Sequence, residues 1–87
     1  MSHMGADLEQ LANLRASLVA QSQVIENLTA TVRQQLGTTT WHGPAADRFR
    51  GAWASDFEPS LRRLQSALQE AGMEVGRRRD ALLQAGA

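Results

Sequence analysis

A chain of 87 residues has room for one domain and one core, since domains run to about 100–150 residues. Nine basic and nine acidic residues cancel to a formal net charge of zero, which removes the summed field that would draw a nucleic acid or an anionic lipid surface. The absence of cysteine excludes disulfides, thiol nucleophiles and thiolate metal sites.

Within a hydrophobic fraction of 43% there are two Phe, two Trp and no Tyr, so Leu, Ile, Val and Ala must carry the packing. Every basic residue is Arg. Residues 1–5 open with Met-Ser-His-Met and read as an expression-tag remnant, which takes His3 out of any functional argument. No apolar run approaches the roughly 20 residues of a membrane span, and no apolar segment follows a basic start. Export of this protein would need a route other than a conventional, cleaved signal peptide.

The first element starts at Asp7. With Gln10 three residues on, Asp7 resembles a capping box. From there the positions Leu11, Leu14, Leu18, Gln21, Ile25, Leu28, Val32 and Gln35 follow steps of three and four, the spacing that keeps one stripe of a helix against a partner. The spacing predicts a helix over about 7–36, with Arg33 near its end suiting the dipole. Gly37 is expected to close it as a left-handed residue, and Thr38, Thr39 and Thr40 to form an extended link.

The second element starts at Pro44. Proline lacks an N–H and holds φ near the helical value, so it belongs at the first helical position, with Gly43 as N-cap and Asp47 in the first turn. A turn over 37–43 makes the two helices antiparallel neighbours, and Trp41 is expected to plug the closed end. The second helix is predicted over about 44–84, with Ala46, Phe49, Trp53, Phe57, Leu61, Leu64, Leu68, Ala71, Val75 and Leu82 as its stripe. The steps from Phe49 to Leu61 are all four, a stutter that coincides with Pro59. A kink in a continuous helix is expected there. The alternative is a break, with Ser55 and Glu58 capping a third helix. The fold class is therefore all-α, an antiparallel two-helix hairpin in a single domain over 6–87.

Trp41-His42-Gly43 in a hairpin turn, followed by Ala-Ala-Asp-Arg-Phe-Arg-Gly-Ala-Trp with aromatics four apart, resembles the WXG100 family, small helical-hairpin proteins of type VII secretion systems. The likeness covers essentially the whole native chain. It implies pairing into an antiparallel four-helix bundle, as a homodimer or as a heterodimer with a related protein. It also implies recognition by the secretion machinery and its ATPase, and a cytoplasmic life before export. Trp41 and Gly43 carry the motif. The bundle interface would be Leu11, Leu14, Leu18, Ile25, Leu28 and Val32 of the first helix. From the second it would take Phe49, Trp53, Phe57, Leu61, Leu64, Leu68, Val75 and Leu82.

One departure matters. Members of the family carry a Tyr-x-x-x-Asp or Glu export signal near the end of the second helix, and this chain has no tyrosine. Val75 stands where the Tyr would fall, Arg79 lies four residues on, and Asp80 is one step out of register. Either the signal was trimmed from this chain, or a partner supplies it, or the protein is not itself exported.

Other residues invite competing readings. Arg77, Arg78 and Arg79, extended by Arg62 and Arg63, offer the alternative function of a small regulatory or nucleic-acid-binding protein. Glu70, Glu74 and Asp80 lie among these arginines, as on a solvated helix surface. His42 is a lone imidazole without a second native His or a Cys, so it makes neither a metal set nor a triad. Asp47, Asp56 and Glu58 are close in sequence, yet a hairpin has no concave pocket to hold a substrate between them. An interaction protein without enzymatic activity, cofactor, metal or membrane insertion is the expectation.

Overall fold

The computed structural model describes residues 6–86, and residues 1–5, expected to be a tag remnant, lie outside them. The chain is a helical hairpin. Helix α1 spans Leu8–Thr38, and a continuous second rod comprises α2 (Pro44–Ala52), a π-turn (Trp53–Phe57) and α3 (Glu58–Gln84). The rod-shaped molecule measures 66 × 17 × 16 Å, two helices wide and without room for an enclosed interior.

Helix α1 begins as expected, with the Asp7 carboxylate accepting the Gln10 N–H at 2.9 Å. Its end differs from the expectation. Gly37 stays inside the helix, Thr39 is the C-cap in an extended conformation (φ −80°, ψ 125°), and the linker is 39–43. The physical reason is that side chains satisfy the last carbonyls. The hydroxyls of Thr38 and Thr39 donate to Gln34 and Gln35 carbonyls, and no left-handed glycine is needed.

Gly43 is the N-cap of α2, with φ 111° and ψ 177°. A side chain would be strained in this conformation, and Pro44 opens the helix beside it. At Pro59 the helix is not broken: Phe57 and Glu58 remain in the right-handed helical region. The Glu58 N–H donates to the Trp53 carbonyl five residues back, and the Ser55 hydroxyl donates to the Gly51 carbonyl instead of capping a third helix. Pro59 has no N–H to lose, which makes this an inexpensive place for the ladder to change register. The wider turn absorbs one residue. Phe49 and Phe57, eight apart, thus stack with ring centroids 6.4 Å apart, where seven residues would make two turns of an ordinary helix.

The seam between the rods lies one position away from part of the predicted stripe. Leu11, Leu18, Ile25 and Val32 are half-buried, as are Leu61, Leu68, Val75 and Leu82. The positions that complete the seam on α1 are Ser22 and Thr29, both buried, and half-buried Leu36; Leu14, Gln21, Leu28 and Gln35 point out. On α3 they are Gln65 and buried Gly72. A Cβ on Gly72 would lie 3.3 Å from Val19 Cγ2 and 3.7 Å from the Arg15 carbonyl. Small residues thus let the backbones approach closely. The buried hydroxyls of Ser22 and Thr29 donate to the Val19 and Ile25 carbonyls at 2.7 and 2.8 Å, so neither is an orphan.

Candidate functional site

The closed end of the hairpin is organised by Arg50, on the second turn of α2. Its Nε and Nη2 donate to the Leu36 carbonyl at 3.3 and 3.1 Å, Nη2 to that of Thr39 at 3.0 Å, and Nη1 to that of Trp41 at 2.7 Å. One planar guanidinium therefore covers the C-terminal carbonyls of α1 and the linker, a task its fixed fork of donors suits. The Arg50 Cζ also lies 5.9 Å from the Trp41 ring centroid, within cation–π range.

Trp41 packs at 5.8 Å from Phe49, which leads on to Phe57, and Phe57 also meets Trp53 at 6.4 Å. These tilted rings form a ladder from the linker up the second rod. Trp41, Phe49 and Phe57 stay 39%, 41% and 48% exposed. Trp53, which its spacing places on the packed stripe, is only half-buried: its indole N–H is drawn to Glu58 Oε1 at 3.0 Å.

The two broad faces of the hairpin differ. Arg33 reaches Glu58, Val19 covers Gly72, and the Arg15 side chain lies over Gly76. These contacts share one side of the seam, so Leu14 and Leu28 on α1 and Phe57 and Leu64 on the second rod share the other. That second face is apolar and uncovered, with Leu14 48% exposed and Leu64 46%, and it is continuous with the ladder that starts at Trp41.

The Arg33 face is charged, and its ion pair, like those at Glu74 near the far end of the second rod, is made within the hairpin. Among the described residues the ion pairs end on Glu58 or Glu74. Hydrogen bonding from Arg33 holds the Glu58 carboxyl down to about 2, with Arg62 and the Trp53 indole adding to the effect against partial desolvation. The same bonds raise the Arg33 guanidinium. Arg77 and Arg78 both bind Glu74, lowering its pKa, and Arg79 donates to the Leu8 carbonyl at 3.0 Å. The arginine-rich end is thus largely engaged within the hairpin. A groove of about 290 Å³ on this face is lined by Glu26, Thr29, Ala30, Arg33, Arg62 and Gln65, and no buried polar side chain along the described chain lacks a partner. No group of three or more His, Asp or Glu among the described residues is placed to hold a metal ion. No described helix is long and apolar enough to cross a membrane.

Of the residues singled out from the sequence, Trp41, Phe49, Trp53 and Phe57 come together, while Gly43 shapes the start of α2. His42 is exposed in the linker. Leu11, Leu18, Ile25, Val32, Leu61, Leu68, Val75 and Leu82 lie in the seam within the chain, and Leu14, Leu28 and Leu64 outside it. The sequence reading missed Arg50, Ser22, Thr29 and Gly72. The seven-residue spacing of Ser22 and Thr29, small polar residues inside an aliphatic helix, was the available signal for the seam. Nothing local marks Arg50 among nine arginines.

Comparison of the chain with protein-family models, curated proteins and solved structures finds no match.

Proposed function

We propose that this chain is a WXG100-like protein of a type VII secretion system. It would be an exported substrate or the cytosolic partner that escorts one, acting through helix–helix association and without catalysis. The supporting observation is the uncovered apolar face that runs from Trp41 through Phe49, Phe57 and Leu64, with Leu14 and Leu28 beside it. Contiguous apolar surface of this kind marks an interaction site. Two rods without an enclosed core also gain little stability alone. The finer reading follows from the resemblance of Trp41-His42-Gly43 and its flanking residues. The hairpin would pair face to face into a four-helix bundle, Trp41 and Gly43 would belong to the surface read by the secretion ATPase, and the missing Tyr signal would come from the associated chain.

The test is a secretion assay in a host with an active type VII system, with and without a co-expressed WXG100 protein of that system. Export that requires both that co-expressed protein and the system's ATPase supports the reading. Export that persists without the ATPase overturns it. So does a chain that stays inside the cell and associates with no other hairpin.

A further inference from the structure

Helix α1 grips the second rod at two levels, one on each side of the π-turn. On the linker side, Arg50 donates to the Leu36, Thr39 and Trp41 carbonyls and so fixes α2 to the end of α1. On the other side, Arg33 reaches Glu58, and half-buried Leu61 begins the seam. An ordinary helix turns about 100° per residue, so both grips can hold only if the residue that does not fit an α-helix is taken up between Arg50 and Leu61. The π-turn over Trp53–Phe57 takes it up, since its ring closes on the fifth residue.

Trp53 and Glu58 are joined twice across that turn. The Glu58 N–H donates to the Trp53 carbonyl, and the Trp53 indole N–H donates to Glu58 Oε1 at 3.0 Å. Residues five apart on an ordinary helix stand about 140° apart around its axis, too far round for the second bond. The indole bond therefore marks where the surplus residue sits, while the Arg50 clamp and the seam together require that there be one. Without the clamp, α2 is free to turn. The Glu58 N–H then moves to the Ala54 carbonyl four residues back, and Phe49, eight residues from Phe57, stands about 80° out of line with it.

We propose that the π-turn is a two-register switch that couples the Trp41 end of the hairpin to the outer apolar face. In the π register Phe49 lies between Trp41 and Phe57, at 5.8 and 6.4 Å between ring centroids, and makes the face continuous. In the α register Phe49 leaves that line. Arg50 engages both the carbonyl and the ring of Trp41, so a partner that takes hold of Trp41 competes for the group that maintains the π register. Occupancy of Trp41 thereby loosens whatever is docked on the outer face, and docking there holds Trp41 clamped, as reciprocal coupling requires. The coupling rests on the reading of Trp41 as a recognised residue and of the outer face as a docking face, and it makes the two sites dependent on one another.

NMR couplings transmitted through hydrogen bonds read the register directly, because they identify the carbonyl that accepts the Glu58 N–H. In the parent and in Trp53→Phe this should be the carbonyl of residue 53, since clamp and seam both persist. Trp53→Phe combined with Arg50→Met should move the bond to the Ala54 carbonyl and remove the proton contacts between the Phe49 and Phe57 rings. Deleting Ala54 from that double variant should bring those contacts back without the clamp, because seven residues make two ordinary turns. Deleting Ala54 from the parent should leave helix content and melting temperature unchanged, although the same deletion would turn half of an ordinary docked helix about 100° out of register. A double variant that keeps the residue 53 bond, or unfolds, overturns the coupling. A deletion that unfolds the parent, or that fails to restore the Phe49–Phe57 contacts, overturns the surplus residue on which the switch depends. These readouts need no secretion system, so the coupling and the secretion reading fail separately.

Discussion

The Arg50 guanidinium donates to the Trp41 carbonyl at 2.7 Å while standing 5.9 Å from the centroid of the same residue's ring. One side chain thus fixes both the backbone and the ring of the linker tryptophan, and through the Leu36 and Thr39 carbonyls ties both to the end of α1. Arg50→Met keeps the aliphatic stem and removes the donors. The freed carbonyls are near water, so the cost should be about 1–2 kcal/mol, several degrees in melting temperature for a domain of this size. Arg50→Lys should recover only part of it, since an ammonium has no planar fork. Thermal melts, with Trp41 emission followed in a Trp53→Phe background, check both effects. Unchanged melting and emission would show that the clamp does not hold the linker.

Glu58 links the rods through Arg33 and holds Arg62 and the Trp53 indole as well. Its carboxyl sits at about 2 in the folded chain, against an ordinary value of 4.5. A depressed carboxylate contributes stability that is fully present above the unfolded value and is lost as pH falls through the folded one. The melting temperature should therefore hold from neutral pH to about 5 and decline toward 2. Glu58→Gln should lower the neutral-pH plateau and flatten that decline. Some acid dependence should remain from Glu74, also lowered by its arginines. An acid limb as steep in Glu58→Gln as in the parent would show that this carboxylate contributes nothing to it.

The helices and their starts were legible because local chemistry decides them: Asp7 caps α1, Gly43 and Pro44 open the second rod, and the aliphatic period carries through both. The stutter at Pro59 was legible as a disturbance, and its outcome as a π-turn was not, because that choice depends on keeping Phe49 and Phe57 on one stripe. The seam was misplaced by one position at Leu14 and Leu28. Periodicity cannot tell a residue facing the other rod from one facing outward when both rows are apolar. Ser22 and Thr29 are small enough to lie between closely spaced rods, as Gly72 is opposite Val19, and that spacing is a tertiary property. Arg50 was invisible for a similar reason, since its acceptors lie across a reversal of the chain.

Gly72 offers a direct measure of that approach. An alanine Cβ there meets Val19 Cγ2 at 3.3 Å, so Gly72→Ala sets a tight contact against a helix-propensity gain of about 1 kcal/mol. The net change should be small. Gly72→Leu cannot be accommodated without moving α1 and should cost about 1–3 kcal/mol. Urea titrations of the two variants distinguish the effects, and a Leu variant as stable as the parent would mean that the rods separate freely at this level.

Leu68 and Leu64 occupy the two rows of the second rod, Leu68 half-buried in the seam and Leu64 46% exposed. Leu68→Asp places a charge between the rods and should unfold the hairpin, at a cost of several kcal/mol. Leu64→Asp should leave helix content intact and remove association with any hairpin docked on the outer face. Circular dichroism and sedimentation of the same samples separate the two. Equal loss of helix in both would mean that the outer face is needed for folding as well as for docking.

Trp41 is the sharpest discriminator between a core plug and a recognition element. Its ring touches Phe49 and faces Arg50 while staying 39% exposed. Truncation therefore removes one aromatic pair, worth about 0.5–1.5 kcal/mol, and the Arg50 cation–π contact, worth about 0.5–1 kcal/mol at an exposed site, and leaves the backbone clamp in place, because Arg50 also binds the Trp41 carbonyl. Trp41→Ala should keep the helix content of the parent and melt a few degrees lower. On the proposed reading it should also lose export or ATPase docking, even alongside a partner that carries the Tyr signal. Trp41→Phe, which keeps a ring on Phe49, should restore the stability and, if the indole itself is read, not the export. Export of Trp41→Ala at the parent's level would remove Trp41 from the recognition surface, and loss of the folded hairpin would make it a structural plug.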